Sequence, residues 1–489
     1  MINWHAIAEF AEKWFWIPML LVYAGVILTI LSENRNPGKS LAYILVIIFL
    51  PVIGLLIYYF VGRKPAFKKR AFDRKDLMDK QKMEEYYGQL KPNMGEQLEV
   101  LEEKMGDLAF PFRYLVNQNR SLVTSGNSVT LLTNGEEKFP ALFTALENAR
   151  SHIHLEYYIF TSDDVGKRVA EILIGKQKAG VEVRVIVDDE GSKHIKELPA
   201  RFKEAGIGFL RNLPVTFNSL ANSNYRDHRK IVIVDGSIGF IGGINLDERY
   251  WNNNKHALYW RDTSVRIEGP AVNLLQVQFF LSWYFAGGKD EFGERNNYFK
   301  VPASRNGNGI VAIAASGPSS KVPYIMETIL LALSQAKKTI RLCTPYFIPT
   351  DELTSALMIA AAKGVEVEVI LPARSDSFIV QHASFSFIKP LLHRGVKVYL
   401  YEKGFIHSKT ISVDSTLAFI GTVNMDTRSF YLNFEITSII HDSDLCKEME
   451  DSFAKDKESS RLVTLDQWHN RSVLEKGMDS VCRLLSALL

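Results

Sequence analysis

Two stretches near the N-terminus carry no charged side chain: 18 positions from Trp14 to Leu31 and 21 positions from Leu41 to Val61. A helix needs about 20 apolar residues to cross the hydrocarbon of a bilayer, so the pattern predicts two spans joined by the short loop Ser32 to Ser40. Trp14 and Trp16 at one end, and Tyr58 and Tyr59 at the other, suit the aromatic layer at a membrane–water boundary. A cleaved leader does not account for the second stretch, and no small-residue cleavage pattern follows the first. A buried helical hairpin would explain the apolar runs, but not the basic run that follows: Arg63, Lys64, Lys68, Lys69, Arg70, Arg74 and Lys75. Positive charge collects on the cytoplasmic side, which puts both termini there, and each such charge adds about 1 kcal/mol of attraction to an anionic leaflet.

Residues 76–108 are charged, helical in pattern and broken at Lys91-Pro92-Asn93, and read as a connector. Beyond them the periodicity alternates between apolar strands and amphipathic helices, which predicts an α/β fold. The alternation repeats. A helix near 139–150, a strand over 152–160, a helix over 165–179 and the strand GVEVRVIVD (180–188) recur as a helix near 323–337, a strand over 339–348, a helix over 351–363 and GVEVEVILP (364–372). The two GVEV strands are 184 residues apart, and FKVPASRNGNG (299–309) between the copies has linker composition. The expected layout is a two-span hairpin at 1–62, a basic collar and connector at 63–108, and two pseudo-twofold lobes at 109–300 and 301–489, each a sheet sandwiched by helices. The second lobe ends in an amphipathic helix with Val473, Leu474, Met478, Val481, Leu484 and Leu485 apolar. Packing of that face on the body is the expectation, with membrane contact the alternative.

Composition changes this picture little, and mostly by exclusion. A net charge of +3 lacks the basic excess of a dedicated nucleic-acid binder. Cys343, Cys446 and Cys482 are too few and too scattered for a disulfide framework or a zinc cluster, and His152, His154, His382, His393, His441 and His469 lack metal-site spacing. No metal or other cofactor is expected.

The chemistry lies in two constellations at one spacing. His228-x-Lys230 is followed by Asp235, Gly242-Gly243 and Asn245; His407-x-Lys409 is followed by Asp414, Gly421-Thr422 and Asn424. The histidines are 179 residues apart, in register with the independent strand repeat. His and Lys alternate on short β stretches, so both point to one face. Displacement at a phosphodiester needs a nucleophile, an acid for the leaving alkoxide and donors for the equatorial oxygens. Two imidazoles supply the first two; Lys230, Lys409, Asn245 and Asn424 supply the third. One histidine must be neutral and the other protonated, so their surroundings must differ. Acids able to fix the tautomers lie downstream, at Asp262 and Glu435.

These are twin HKD motifs, and with RIEGPAV (266–272), SGP (316–318), TPYFIP (344–349), YEKGFIHSKT (401–410), GTVNMDTRSFYLNFEIT (421–437) and the N-terminal spans the chain resembles the bacterial cardiolipin synthases of the phospholipase D superfamily, over essentially its whole length. The resemblance implies a metal-free ping-pong reaction through a phosphatidyl-histidine, with His228 as nucleophile and His407 as general acid; sequence symmetry alone does not choose between them. It implies Asp262 and Glu435 as the histidine-orienting acids. Asp235 and Asp414 belong to the motif and read as structural anchors. Water, a lipid hydroxyl or serine could release the phosphatidyl group, and some relatives cut nucleic acid. The spans and basic collar favour phosphatidylglycerol and other anionic lipids as partners, in a bacterial cytoplasmic membrane with the catalytic body on the inner side; a non-catalytic lipid scaffold is the reading from another class. Tyr157, Tyr158, Tyr346 and Phe347 read as cleft walls, Glu156 as a structural hydrogen bond, and the loop 213–224 as apolar enough to touch acyl chains.

Overall fold

A computed structural model describes residues 13–14, 16–32, 37–59, 94–215, 224–288 (without 254 and 257), 298–299 and 307–486 (without 321). The basic run, the connector up to residue 93 and most of the apolar loop, at 216–223, lie outside the described residues. Residues 1–69 and 70–489 are two separate compact units.

In the first unit a helix covers Trp16–Ser32, and the second apolar run is two helices, Pro37–Phe49 and Pro51–Ile57, rather than one unbroken helix. Proline at 51 has no N–H to give and disfavours helical geometry in the residue before it. Leu50 accordingly sits at φ −131° and ψ 69°, outside the helical region. Ile30, Ile47 and Tyr58 form a small buried cluster. No helix among the described residues is long and apolar enough to cross a membrane.

The second unit is built on a mixed sheet of fifteen strands. In chain order these are β1 (Thr124–Thr133), β2 (His152–Tyr157), β3 (Glu182–Asp188), β4 (Gly208–Asn212), β5 (Lys230–Val234), β6 (Ile238–Gly242), β7 (Thr263–Glu268), β8 (Gly309–Ser316), β9 (Thr339–Cys343), β10 (Glu366–Pro372), β11 (Lys397–Tyr401), β12 (Thr410–Val413), β13 (Leu417–Gly421), β14 (Glu435–His441) and β15 (Ser460–Leu462). Their spatial order is β15-β11-β10-β9-β12-β13-β14-β8-β1-β7-β6-β5-β2-β3-β4. Apart from β15 at the edge, the order reads the same from either end in equivalent strands: β4 matches β11, β3 matches β10, and so on to β1 and β8, which pair at the centre. A repeated sequence has folded into a pseudo-twofold sheet.

Both faces are covered, so the strands are apolar on both sides. In β5, Ile231 and Ile233 join the core that holds helix Ala271–Phe285, while Val232 and Val234 join the core under helices Asn134–Glu147 and Asp164–Lys178. The motif aspartates have one job in this architecture. Asp235 and Asp414 are the first of the three residues joining β5 to β6 and β12 to β13, at φ 55° and 54°. Gly236 and Ser415 follow at φ 64° and 50°. Two successive positive φ values make the tight hairpin turn that suits strand twist, and Asp tolerates that backbone better than most residues. Each carboxylate then accepts three backbone N–H groups at the start of a neighbouring strand: Arg150, Ser151 and His152 on Asp235 (2.7–3.0 Å), and Lys337, Lys338 and Thr339 on Asp414 (2.7–2.8 Å). Asp235→Ala and Asp414→Ala are therefore expected each to weaken the fold by about 2 kcal/mol, read as a lower thermal midpoint; unchanged midpoints would show that the clamps are dispensable.

Candidate active site

The motif histidines sit just ahead of their hairpins, His228 two positions before the start of β5 and His407 three before the start of β12, and the chain leading to each runs against the other copy. Phe405 and Ile406 pair in parallel with Trp260 and Arg261, and Asp227 bridges to Phe434 in the same sense. The His407 N–H donates to Arg261 O at 2.6 Å, and the His228 N–H to Phe434 O at 2.9 Å. In both cases the acceptor is the residue just before a carboxylate. The side chains follow: His407 Nδ1 lies 2.7 Å from Asp262, and His228 Nδ1 lies 2.9 and 3.0 Å from the two oxygens of Glu435. The pairing is crossed, each histidine of one copy being held by the acid of the other. Nδ1 is thereby committed, which leaves Nε2 of each ring for substrate.

The acids are themselves fixed. Glu435 accepts from the Thr422 hydroxyl and from Asn433 Nδ2 at 3.3 Å; Asp262 accepts from the N–H of Thr263 at 2.7 Å. Gly243 makes room for this, since a Cβ there would fall 2.2 Å from Asp262 Oδ1. Lys409 Nζ lies 2.9 and 3.1 Å from the two ring nitrogens of His407, and Lys230 Nζ donates to His228 O at 2.7 Å.

Both imidazoles face one cavity of about 390 Å³, lined also by Asn245, Asn424, Tyr158 and Tyr346. Asn245 is engaged, donating to the Tyr250 hydroxyl at 2.8 Å and accepting from Ile159 N–H at 3.3 Å. Asn424 Oδ1 is buried without a partner. Of the expected walls, Tyr158 and Tyr346 line the cavity, whereas Tyr157 and Phe347 are buried in cores. Glu156 is fully buried and accepts from Ser282 at 2.6 Å. Among the described residues no cluster of His, Cys, Asp or Glu has the makings of a metal site.

The two ends of the cavity differ in their electrostatics. Burial, reinforced by Lys230 and Lys409, holds His228 well below the usual imidazole range; burial and Lys409 also lower His407, against the pull of Asp262. Both rings are neutral at pH 7 in the empty site. Burial brings Lys230 down to about 7 and Lys409 down to about 8. Glu435 is raised to about 7 by burial, only partly offset by Lys230. Asp262 is equally buried, yet Lys409 and His407 outweigh the desolvation and keep it ionised. His407 thus has a full negative charge behind it, and His228 a carboxyl on the edge of protonation. His407 is also enclosed by Tyr250, Trp260 and Phe405, with each ring centre 5.7 Å away.

Several lining residues escape motif reading. Tyr250, five residues after Asn245, places its hydroxyl 3.3 Å from His407 Nδ1, and the matching position in the second copy is Ser429, so the repeat gave no signal. Arg249 and Arg428 do match in the repeat, but their charges are handled differently. Arg249 is neutralised by a two-pronged pair with Asp247 at 2.8–3.0 Å, whereas Arg428 donates, among the described residues, to the amide and carbonyl oxygens of Asn224 at 2.8 and 3.0 Å and feels the charge of Asp426 without a direct bond to it. Arg226, paired with Asp188 at 3.1 Å, lies at the His228 end; Asp376, which accepts from Tyr346 at 2.7 Å, marks the His407 end.

A twofold sheet presenting one neutral, acid-backed histidine from each half to a shared cavity defines a phospholipase D-like α/β protein. A family profile described as "Cardiolipin synthase, PLD-like domain" matches residues 142–278 and 329–457, and one described as "Phospholipase_D-nuclease N-terminal" matches 21–63. "Cardiolipin synthase 2" of Bacillus anthracis is 38% identical over 94% of this chain and 88% of its own length, and "Cardiolipin synthase" of Alkalihalophilus pseudofirmus is 36% identical over 96% and 92%. The chain belongs to the cardiolipin synthase family. Among solved structures, phosphatidylserine synthase from Haemophilus influenzae Rd KW20 shares the fold, with a TM-score of 0.60 and 14% identity over 78% of this chain and all of that one.

The unequal acids make a testable distinction. Asp262→Asn replaces an ionised partner and is expected to slow turnover by roughly 10³–10⁴-fold. Glu435→Gln, replacing a group already near neutrality, should cost at least tenfold less; equal losses, measured side by side, would refute the asymmetry.

Proposed function

We propose that the chain is a phosphatidyltransferase that joins two phosphatidylglycerol molecules into cardiolipin and releases glycerol. The observation that carries this is the pair of crossed histidine–carboxylate dyads opening on one cavity; the relatives' names supply the reaction class. Nε2 of His228 attacks the phosphorus of the first lipid, and the bond from phosphorus to the glycerol headgroup oxygen breaks. His407 gives that oxygen its proton. The hydroxyl of the second lipid then returns a proton to His407 and attacks the same phosphorus, and the His228 bond breaks. Lys230, Lys409, Asn245 and Asn424 hold the equatorial oxygens. The ionised Asp262 behind His407 favours the imidazolium that an acid must become, and the near-neutral Glu435 leaves His228 the neutral nucleophile. His407 is neutral in the empty site because burial is compounded by lysine charge, and an arriving phosphodiester offsets that charge, so substrate itself raises the acid's proton affinity.

In this reading residues 1–62 are a two-span membrane anchor, 63–108 a collar and connector, and 109–300 and 301–489 the two lobes. The apolar runs and the matched N-terminal profile support the anchor, and the basic run supports a catalytic body on the cytoplasmic side of a bacterial membrane. Exclusion of water favours the lipid acceptor over hydrolysis.

Purified protein in liposomes of phosphatidylglycerol should yield cardiolipin and glycerol in equal amounts, and His228→Ala should lose at least about 10³-fold. Phosphatidic acid as the main product would make the chain a hydrolase. The rate should also fall as pH rises through about 7–8, where Lys230 and Lys409 lose their charge, and hold well below pH 6.5, since burial keeps the attacking His228 neutral there. Lys409→Arg, whose charge does not titrate in this range, should shift the alkaline limb upward; an unmoved limb would clear Lys409 of phosphate binding.

A further inference from the structure

The C-terminal helix, Val473–Leu484, is docked by its polar side. Asp479 and Cys482 are its buried residues, and Asp479 bonds His382 of helix Phe378–Phe385 at 2.7 Å and Arg471 at 2.8 Å. Arg483 lies over the Phe387 ring at 4.6 Å. Of the six apolar residues that the sequence pattern assigns to packing, Met478 is half-buried, and Val473, Leu474, Val481 and Leu484 face outward at 85, 76, 58 and 81% exposed. The helix is locally well specified, with Ser472 and Glu475 completing a capping box, so this is a formed helix with its apolar stripe on the outside.

What lies beside that stripe identifies what covers it. Asp479 meets His382, Arg483 meets Phe387, and Arg471, two residues ahead of Val473, stacks on Phe385, so the last helix packs across helix Phe378–Phe385. At the start of that neighbouring helix Phe378 and Ile379 are themselves 60 and 42% exposed. The same turn is the rim of the catalytic cavity, which Asp376 and Val380 line. Exposed apolar residues thus lie on the outer face of the last helix and, on the helix it packs against, beside the mouth of the site. The charges bordering it are mainly basic, with Arg374, Lys389, Lys476 and Arg483 exposed against Asp376 and Glu475. A helix polar on one side, aliphatic on the other and edged with basic residues has the make-up of one that lies in the plane of a lipid surface.

We propose that this face seats in the headgroup and upper acyl layer of an anionic membrane and holds the cavity mouth against the bilayer. The inference rests on the phosphatidyl-transfer reading, because a substrate with two acyl chains needs a route from bilayer to cavity that does not expose those chains to water. The seat shortens that route to the distance between the layer and the rim.

The test uses the full chain in phosphatidylglycerol vesicles containing lipids brominated on the acyl chain. An environment-sensitive fluorophore is placed at Leu484→Cys and, as a control on another surface helix, at Glu448→Cys; the native thiols are buried. Emission from position 484 should shift to the blue and be quenched by bromine, while position 448 is unaffected. A second arm compares Leu474→Asp/Leu484→Asp with the unaltered chain. Turnover of bilayer phosphatidylglycerol should drop about tenfold, with turnover of a short-chain, water-soluble phosphatidylglycerol unchanged. An unquenched label at 484, or disulfide-linked dimers of unlabelled Leu484→Cys in its place, would overturn the proposal, the dimers pointing to a second copy as the occupant. Equal losses on both substrates would overturn it as well. If the unaltered chain makes no cardiolipin from either lipid, the activity reading fails, while the quenching result still decides the lipid seat.

Discussion

The rest of the molecule is arranged around the crossing of two histidine–carboxylate pairs. Asp262 and Glu435 are fully buried, and a carboxylate without water must find charge or hydrogen bonds. Each finds a histidine that its own half does not supply. The pairing therefore needs both halves present and aligned to a few tenths of an ångström. Alignment comes from the backbone: the hydrogen bonds at Arg261 and Phe434 tie each histidine's main chain to the residue preceding its acid, so carboxylate and ring are positioned by the same short stretch. Behind them the pairing of β1 with β8 makes one sheet of the two halves. A half taken alone would keep its strands and lose its dyad.

Near-symmetry in covalent pattern becomes asymmetry in electrostatics through the neighbours. The first histidine is preceded by Arg226 and Asp227, the second by Phe405 and Ile406. Arg226 is paired with Asp188 at 3.1 Å in a polar network, while Phe405 helps to wrap His407 in aromatic rings. The acids respond in opposite ways to equal burial, because Lys409 and His407 both stabilise charge on Asp262, whereas Lys230 only partly compensates Glu435. Two identical dyads could not divide the roles of nucleophile and acid; these differ in the direction that division requires.

The sequence carried the repeat, the element order and the motif residues because each is a matter of spacing along the chain. Period-two apolar runs and the GVEV pair locate strands on either side of the twofold, and His228 and His407 do open on one cavity. The crossing was not legible, since spacing within a copy says nothing about which copy's acid arrives beside which ring. The second apolar run read as one unbroken helix because hydropathy does not register that Pro51 removes an N–H and turns Leu50 out of the helix. The last helix misled for a related reason: amphipathicity reports that two faces differ, and the body can hold the polar one when an ion pair and ring-stacked arginines are there to hold it. Tyr250 and Arg428 fell outside the motifs, the first because its counterpart in the second copy is a serine, the second because its bonds to Asn224, in place of a carboxylate, are what distinguish it from Arg249.

The neutral state of the empty site follows from the charges of its two lysines. Two lysines buried beside two histidines cannot all be protonated without repelling one another, so the cavity sheds protons from the weaker bases first, and imidazole is the weaker base. In the proposed reaction this keeps the attacking His228 unprotonated, and the cost falls on His407, the proposed acid, which would have to hold a proton in that same field. A bound phosphodiester would settle the conflict, since its negative charge between the lysines would remove the repulsion and leave the ionised Asp262 to dominate. On that reading, loading of the acid is tied to the presence of a phosphate to be cleaved.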